Sequence, residues 1–199
     1  MKITAKQKDI LDAAEKEFLK HGLHNAVIDQ IVENANVSKR TLYKYYRSKL
    51  DLFQAVLMQK YRAVGRATPI KYNKDQDFKT QLKNLILNEI NTYQSVAYRD
   101  VAQMILRELM LSQDKAEKVF AQLPPTGASI AVWLDAAVRD GYIACSDVQM
   151  AAESLEAHIK AFAFYPQVFG LAALSEARSA QIADHLVDVI CKTYDYAGA

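Results

Sequence analysis

From Val37 to Lys49 the chain reads VSKRTLYKYYRSK, a run of five cations and three tyrosines with no acid anywhere between Glu33 and Asp51. Ser38 can open a helix here, because its hydroxyl accepts from the free backbone N–H groups of a first turn. Helical spacing then gathers Lys39, Arg40, Tyr43, Lys44 and Arg47 on one face and turns Leu42, Tyr45 and Tyr46 inward. Such a face suits a nucleic-acid duplex: cations meet phosphates, an arginine can grip a guanine edge with two hydrogen bonds, and tyrosine hydroxyls reach the backbone. A merely solvated helix surface is the plainer reading of the same charges. The residues on either side decide between the two.

Upstream, Thr4 to Gln7 fits a capping box, and Ile10, Leu11, Ala14 and Phe18 follow at helical spacing, predicting a first amphipathic helix that ends near His21-Gly22. After the turn Leu23-His24-Asn25, a second short stripe runs through Ile28, Ile31, Val32 and Ala35, and Asn36 is suited to a left-handed residue closing it. Two short helices joined by about three residues, the second basic outside and apolar inside, make a helix-turn-helix, whose second helix enters the major groove. Ser48 to Asp51 starts a fourth helix, which Leu52, Phe53, Val56, Leu57 and Tyr61 continue.

Charge is divided along the chain. Residues 1–62 hold 12 Lys and Arg against 7 Asp and Glu, or +5, whereas the other 137 hold 13 against 16, or −3. The basic end is the amino end, although the whole chain is only +2. Two cysteines, Cys145 and Cys191, without C-x-x-C or histidine pairs, predict neither a disulfide framework nor a metal site. An apolar leader and a run of about 20 apolar residues are both missing, which predicts a cytoplasmic protein without membrane segments.

Gly65, Pro69 and the polar stretch from Lys71 to Asp77 mark a boundary, dividing the chain into domains 1–62 and 63–199. The second is read as all helical: 78–93, 99–111, 114–123, 129–140, 147–164 and 175–196, broken by Pro124-Pro125 and ended or kinked at Pro166. The fold class is therefore all-α, about nine helices, with no convincing strand.

The amino-terminal pattern has a known likeness. Ile10-Leu11, Ala13-Ala14, Phe18 and Gly22, then Ile31, Ala35, Val37-Ser38, Thr41-Leu42-Tyr43, Tyr45-Tyr46, Ser48-Lys49 and Leu52, in this order and spacing, resemble the TetR family of bacterial transcriptional regulators. Gly141, Ile143 and Asp147 are similar to members with an AefR-like effector domain. The resemblance implies a homodimer that lays its reading helices in successive major grooves of a near-palindromic operator, acts as a repressor, and is released by a small-molecule effector whose binding pivots the fourth helix. It assigns Lys39, Arg40 and Lys44 to bases or phosphates, Ser38 to the cap, Thr41, Tyr43 and Tyr45 to the DNA backbone, and Lys49 to a phosphate. Ala26-Val27 departs from the family, standing where a Thr or Ser usually caps the second helix, so that cap is missing unless Asn25 replaces it. Asn36 stands for a usual glycine and Leu50 for a usual acid.

Met104, Arg107, Met110, Trp133, His158, Phe162 and Tyr165, with Phe164, are the candidates for lining an effector pocket, since such pockets are apolar with a few placed polar groups. Packing in the core is the competing account of each aromatic. In the last helix Ile182, Leu186, Val189 and Ile190 form a stripe wide enough for a dimer seam with the helix 147–164, or for packing inside one subunit. No catalytic residue and no cofactor is expected: neither a phosphate loop, a Ser-His-Asp order nor a paired-carboxylate arrangement stands out. A helical interaction module that has lost DNA binding, or an enzyme, are the rival function classes.

Overall fold

Thr4 opens the first helix by the capping box expected of it: its hydroxyl accepts from the Gln7 N–H and the Gln7 side chain accepts from the Thr4 N–H at 3.1 Å. In the computed structural model, which describes residues 3–64, 70–109 and 127–197, helices account for nearly all regular structure and no strand occurs among those residues. They are α1 (Ala5–Asn25), α2 (Ile28–Asn34), α3 (Lys39–Tyr45), α4 (Lys49–Val64), α5 (Phe78–Gln94), α6 (Val96–Leu109), α7 (Ala128–Arg139), α8 (Val148–Ala163), α9 (Tyr165–Val168) and α10 (Glu176–Thr193). Asp77, Asp147 and Ser175 each cap the helix that follows by accepting the N–H three residues on. The expected helix at 114–123 and the Pro124-Pro125 break lie outside the described residues.

One boundary differs. The first helix does not stop at Gly22; the chain breaks direction there, with φ 72° and ψ 174°, and makes one more turn to Asn25. Glycine permits that conformation, and the Ala26 N–H returns to the Gly22 carbonyl at 3.1 Å.

The chain forms two compact units. The first comprises residues 3–64 together with 100–109. Its core is built from the predicted stripes, with Ile10, Ala14, Ile31, Leu42 and Leu52 fully buried and Phe18 set edge-on to Phe53 at 5.1 Å. Each large apolar side chain among them contributes roughly 1.5–3 kcal/mol when taken out of water. Val101, Met104 and Ile105 of α6 complete this core. Met104, assigned to an effector pocket on sequence, is thus a packing residue of the amino-terminal unit at 4% exposure.

The second unit, residues 70–99 and 127–197, packs α5, α7, α8 and α10 around Leu82, Ile86, Ile90, Trp133, Leu134, Leu155, Ile159 and Leu186. Here the dimer assignment is corrected: Ile182, Leu186 and Ile190 are at most 4% exposed within the single chain, facing the unit's own core, while Val189 alone of the four is half-exposed. Helix periodicity reveals an apolar face but not whose surface it meets, and the face is used internally. Ala151, Ala152 and Ala163 of α8 are buried in the same core.

A polar cluster interrupts this interior. Glu156 of α8 accepts from the Tyr93 hydroxyl at 2.7 Å and from the Gly127 N–H, and pairs with Lys160 at 2.5 Å. Three donors from α5, the α7 cap and α8 therefore satisfy one buried carboxylate. Burial first, then the neighbouring Glu156, hold the Glu89 carboxyl above its ordinary range. Gly127 has φ 73°, and a Cβ there would stand 3.0 Å from the Ala152 carbonyl carbon. Gly127→Ala is accordingly expected to cost about 1–3 kcal/mol, from left-handed strain and crowding against backbone, read as a lower midpoint in denaturant unfolding.

Candidate nucleic-acid interface

Ser38 sits before the first turn of α3 in extended backbone, and its Oγ accepts from the Thr41 N–H at 3.1 Å while lying 2.9 Å from the Thr41 hydroxyl. This is the cap that the sequence leads one to expect. Leu42, on the inner edge, has no exposed surface. One edge of a seven-residue helix is thereby sealed to the core, and the opposite face is left to solvent. On it Lys39, Arg40, Tyr43 and Lys44 are exposed, Tyr43 by 46%, whereas Arg47, expected on the same face, is exposed in the bend beyond the helix, which already ends at Tyr45. Asn36 carries the left-handed backbone at φ 51° that ends α2 and turns the chain into this helix.

The remaining assigned residues divide. Thr41 is half-buried beneath the cap, and Tyr45 is half-buried against the core of the unit beside Tyr46, their rings 6.5 Å apart. Tyr45 therefore belongs more to the support of the helix than to its outer face. Burial raises the Tyr46 hydroxyl above the ordinary phenol range. Lys49 is the larger change: its Nζ donates to the carbonyls of His24 at 2.9 Å and Ala26 at 3.0 Å. An ammonium has three donors, and two of these fasten the α1–α2 connection instead of pointing at a phosphate.

Lys39 also has a partner not foreseen from sequence. Asp29, in the first turn of α2, lies 2.5 Å from its ammonium, and the hydrogen bond with that carboxylate raises the lysine above its ordinary value. Both side chains are about 60% exposed, so the pair is screened and easily exchanged for a phosphate. A carboxylate one helix away cannot be matched to a lysine before the turn geometry is known.

At Ala26-Val27 the cap is missing as the sequence implied, and Asn25 does not replace it. Val27 occupies the cap position of α2 with no side-chain bond to the helix. Its own N–H donates instead to Glu17 Oε1 at 3.0 Å, from a side chain in α1 that is 9% exposed. Sequence reasoning passed over Glu17, although an acid beside Phe18 on the apolar stripe of α1 was a visible anomaly.

The effector candidates do not converge. Trp133 lies at 2% exposure between Tyr72, edge-on at 5.2 Å, and Phe78 at 5.6 Å. Burial, with Asp140 nearby, pushes the Tyr72 hydroxyl up to about 12. Phe164 meets a different group, Tyr98 at 5.6 Å and Tyr165 at 5.3 Å, with Phe162 half-buried and Tyr165 half-exposed. His158 is exposed and bonded back to the Ser154 carbonyl of its own helix at 2.7 Å. The Arg107 side chain and Met110 lie outside the described residues. Trp133 is a core residue, and His158 is a surface one.

Comparison with known proteins agrees with this geometry. Residues 10–56 match the family described as bacterial regulatory proteins, tetR family, and residues 80–196 match the AefR-like transcriptional repressor, C-terminal domain. The HTH-type transcriptional repressor SCO4008 of Streptomyces coelicolor is 38% identical over 61 residues, 31% of this chain and 32% of that one, so the similarity spans about a third of each. Among solved structures, a TetR family regulator from Pseudomonas syringae pv. tomato superimposes with a TM-score of 0.79 at 25% identity, covering 96% of this chain and 98% of that one. The flavonoid-responsive regulator FrrA has the same fold, TM-score 0.82 over 98% of both chains at 22% identity. With both halves matched in order, and a capped basic helix where the family carries its reading helix, this chain belongs to the TetR family of bacterial transcriptional regulators.

Proposed function

We infer that the protein is a cytoplasmic, ligand-responsive repressor that binds a near-palindromic operator as a homodimer, with residues 1–62 as the DNA-binding domain and 63–199 as the effector and dimerisation domain. The observation that carries the reading is the outer face of α3, where Arg40, Tyr43 and Lys44 are exposed on a helix whose inner edge, Leu42, is completely buried, with Arg47 exposed in the bend that follows. A helix anchored in this way presents its cations at a fixed attitude, which specific recognition requires and a floppy basic tail does not offer. Lys39, released from Asp29, adds a further phosphate or base contact. The family match over residues 10–56 covers this helix, and among the described residues no helix is long and apolar enough to cross a membrane.

Effector binding would change the separation of two reading helices in a dimer, so that a modest difference in ligand affinity becomes a change in operator occupancy. The test is selection of duplexes from a random library by the purified protein, followed by gel shift across salt concentrations. For a dimer neutralising 6–10 phosphates, affinity is expected to fall about 10³–10⁵-fold between roughly 50 and 200 mM salt. Absence of any selected duplex, or binding indifferent to salt, would refute the reading. Light scattering on the same sample should return twice the mass of the chain. A small molecule that raises the melting temperature of the protein and releases the duplex would identify the effector class.

A further inference from the structure

The connection between α1 and α2 is gripped from two sides by groups of opposite charge. From α1, the Glu17 carboxylate accepts the Val27 N–H at 3.0 Å; from the first residue of α4, the Lys49 ammonium donates to the His24 and Ala26 carbonyls at 2.9 and 3.0 Å. The donor of this short loop thus meets a carboxylate, and its acceptors meet a cation. Glu17 is only 9% exposed, and a carboxylate is taken that far out of water only where a specific bond holds it. The loop leads into a helix of seven residues, too short to hold its own ends, whose cap position is filled by a valine side chain that bonds nothing.

We propose that Glu17 is a positioning residue for DNA binding, which takes over the anchoring of the α2 N-terminus that a capping Ser or Thr would supply, acting together with Lys49. α2 is the helix against which α3 is set: the Val37 N–H bonds to the Val32 carbonyl at 3.0 Å and α2 ends in the left-handed Asn36 that aims the turn. A shift at the start of α2 therefore re-aims the basic face, without any loss of charge from it. The proposal rests on the DNA-binding reading and adds a residue that touches no DNA.

Three substitutions test it. Glu17→Leu removes the acceptor and keeps an apolar stripe intact, and should weaken binding to the duplex selected by the unaltered protein by about five- to tenfold. Glu17→Gln keeps an acceptor oxygen and should stay within about twofold of the unaltered protein. Adding Val27→Thr to Glu17→Leu puts a hydroxyl in extended backbone at the cap position, φ −107° and ψ 118°, and should recover most of the lost affinity. A general packing defect would not be mended by one hydroxyl at position 27, which separates positioning from mere stability. Amide exchange over residues 28–31 gives a second readout that needs no DNA: faster in Glu17→Leu, restored by Val27→Thr, whose hydroxyl accepts from an N–H two or three residues on. The proposal is overturned if Glu17→Leu binds as the unaltered protein does, or if Val27→Thr restores neither binding nor protection. If the unaltered protein selects no duplex, the regulator reading fails, and exchange alone decides whether Glu17 anchors α2.

Discussion

Leu186→Asp is expected to unfold the second unit rather than to yield a folded monomer. Leu186 has no exposed surface, and it belongs to the core that holds Ile86, Ile90, Leu155 and Ile159. Truncation to alanine alone would cost about 2–5 kcal/mol through lost transfer energy and the cavity left behind. An unpaired aspartate in the same place adds the cost of burying a charge, and the sum is comparable with the whole stability of a domain, about 5–15 kcal/mol. Loss of helical signal in circular dichroism, with aggregation on purification, is the expected outcome. Val189→Asp is the control, since this residue is half-exposed on the same helix; it should leave helix content and melting temperature nearly unchanged. If Leu186→Asp instead gave a soluble, fully helical chain, the burial of this face within one subunit would be wrong.

The second large effect is expected at Arg40. Its side chain is exposed in the first turn of α3, on the face with Tyr43 and Lys44. Arg40→Ala should cost about 1–3 kcal/mol on the preferred duplex, roughly 5–150-fold, while binding to random sequence falls much less. Lys44→Ala, by contrast, should weaken all sequences together and lower the salt slope by about one for each phosphate no longer neutralised. Neither substitution touches the core, so folding stability should stay within about 0.5 kcal/mol of the unaltered protein. A uniform loss for Arg40→Ala would make it a phosphate-binding residue, and no loss for either would leave α3 without a role in recognition.

The amino-terminal unit was legible because its signals are local. Thr4, Ser38, Asn36 and Gly22 each do in the structure what their own chemistry demands within three or four residues, and the stripe Ile10, Leu11, Ala14 and Phe18 needs only helical periodicity to be seen. Lys49 and Glu17 were not legible in the same way. The partners of Lys49 are 25 and 23 residues distant and that of Glu17 is 10, and all of them are backbone groups that leave no mark on the sequence.

The effector half shows the same division more sharply. Its helices and caps follow from Asp77, Asp147 and Ser175, but Trp133, Met104 and His158 were sorted into core, the other unit and surface only by packing. What the residues determined by themselves is which stretches are helical, where they start, and that one helix bears a basic, solvent-facing side. Tertiary structure alone decided which apolar face is closed inside the subunit, as with Ile182, Leu186 and Ile190, and which charges are spent on holding the chain, as with Glu17 and Lys49. The physical reason is one of range: hydrogen-bonded caps and helical period act within a few residues, whereas burial and buried ion–backbone bonds depend on which distant element arrives at the same place.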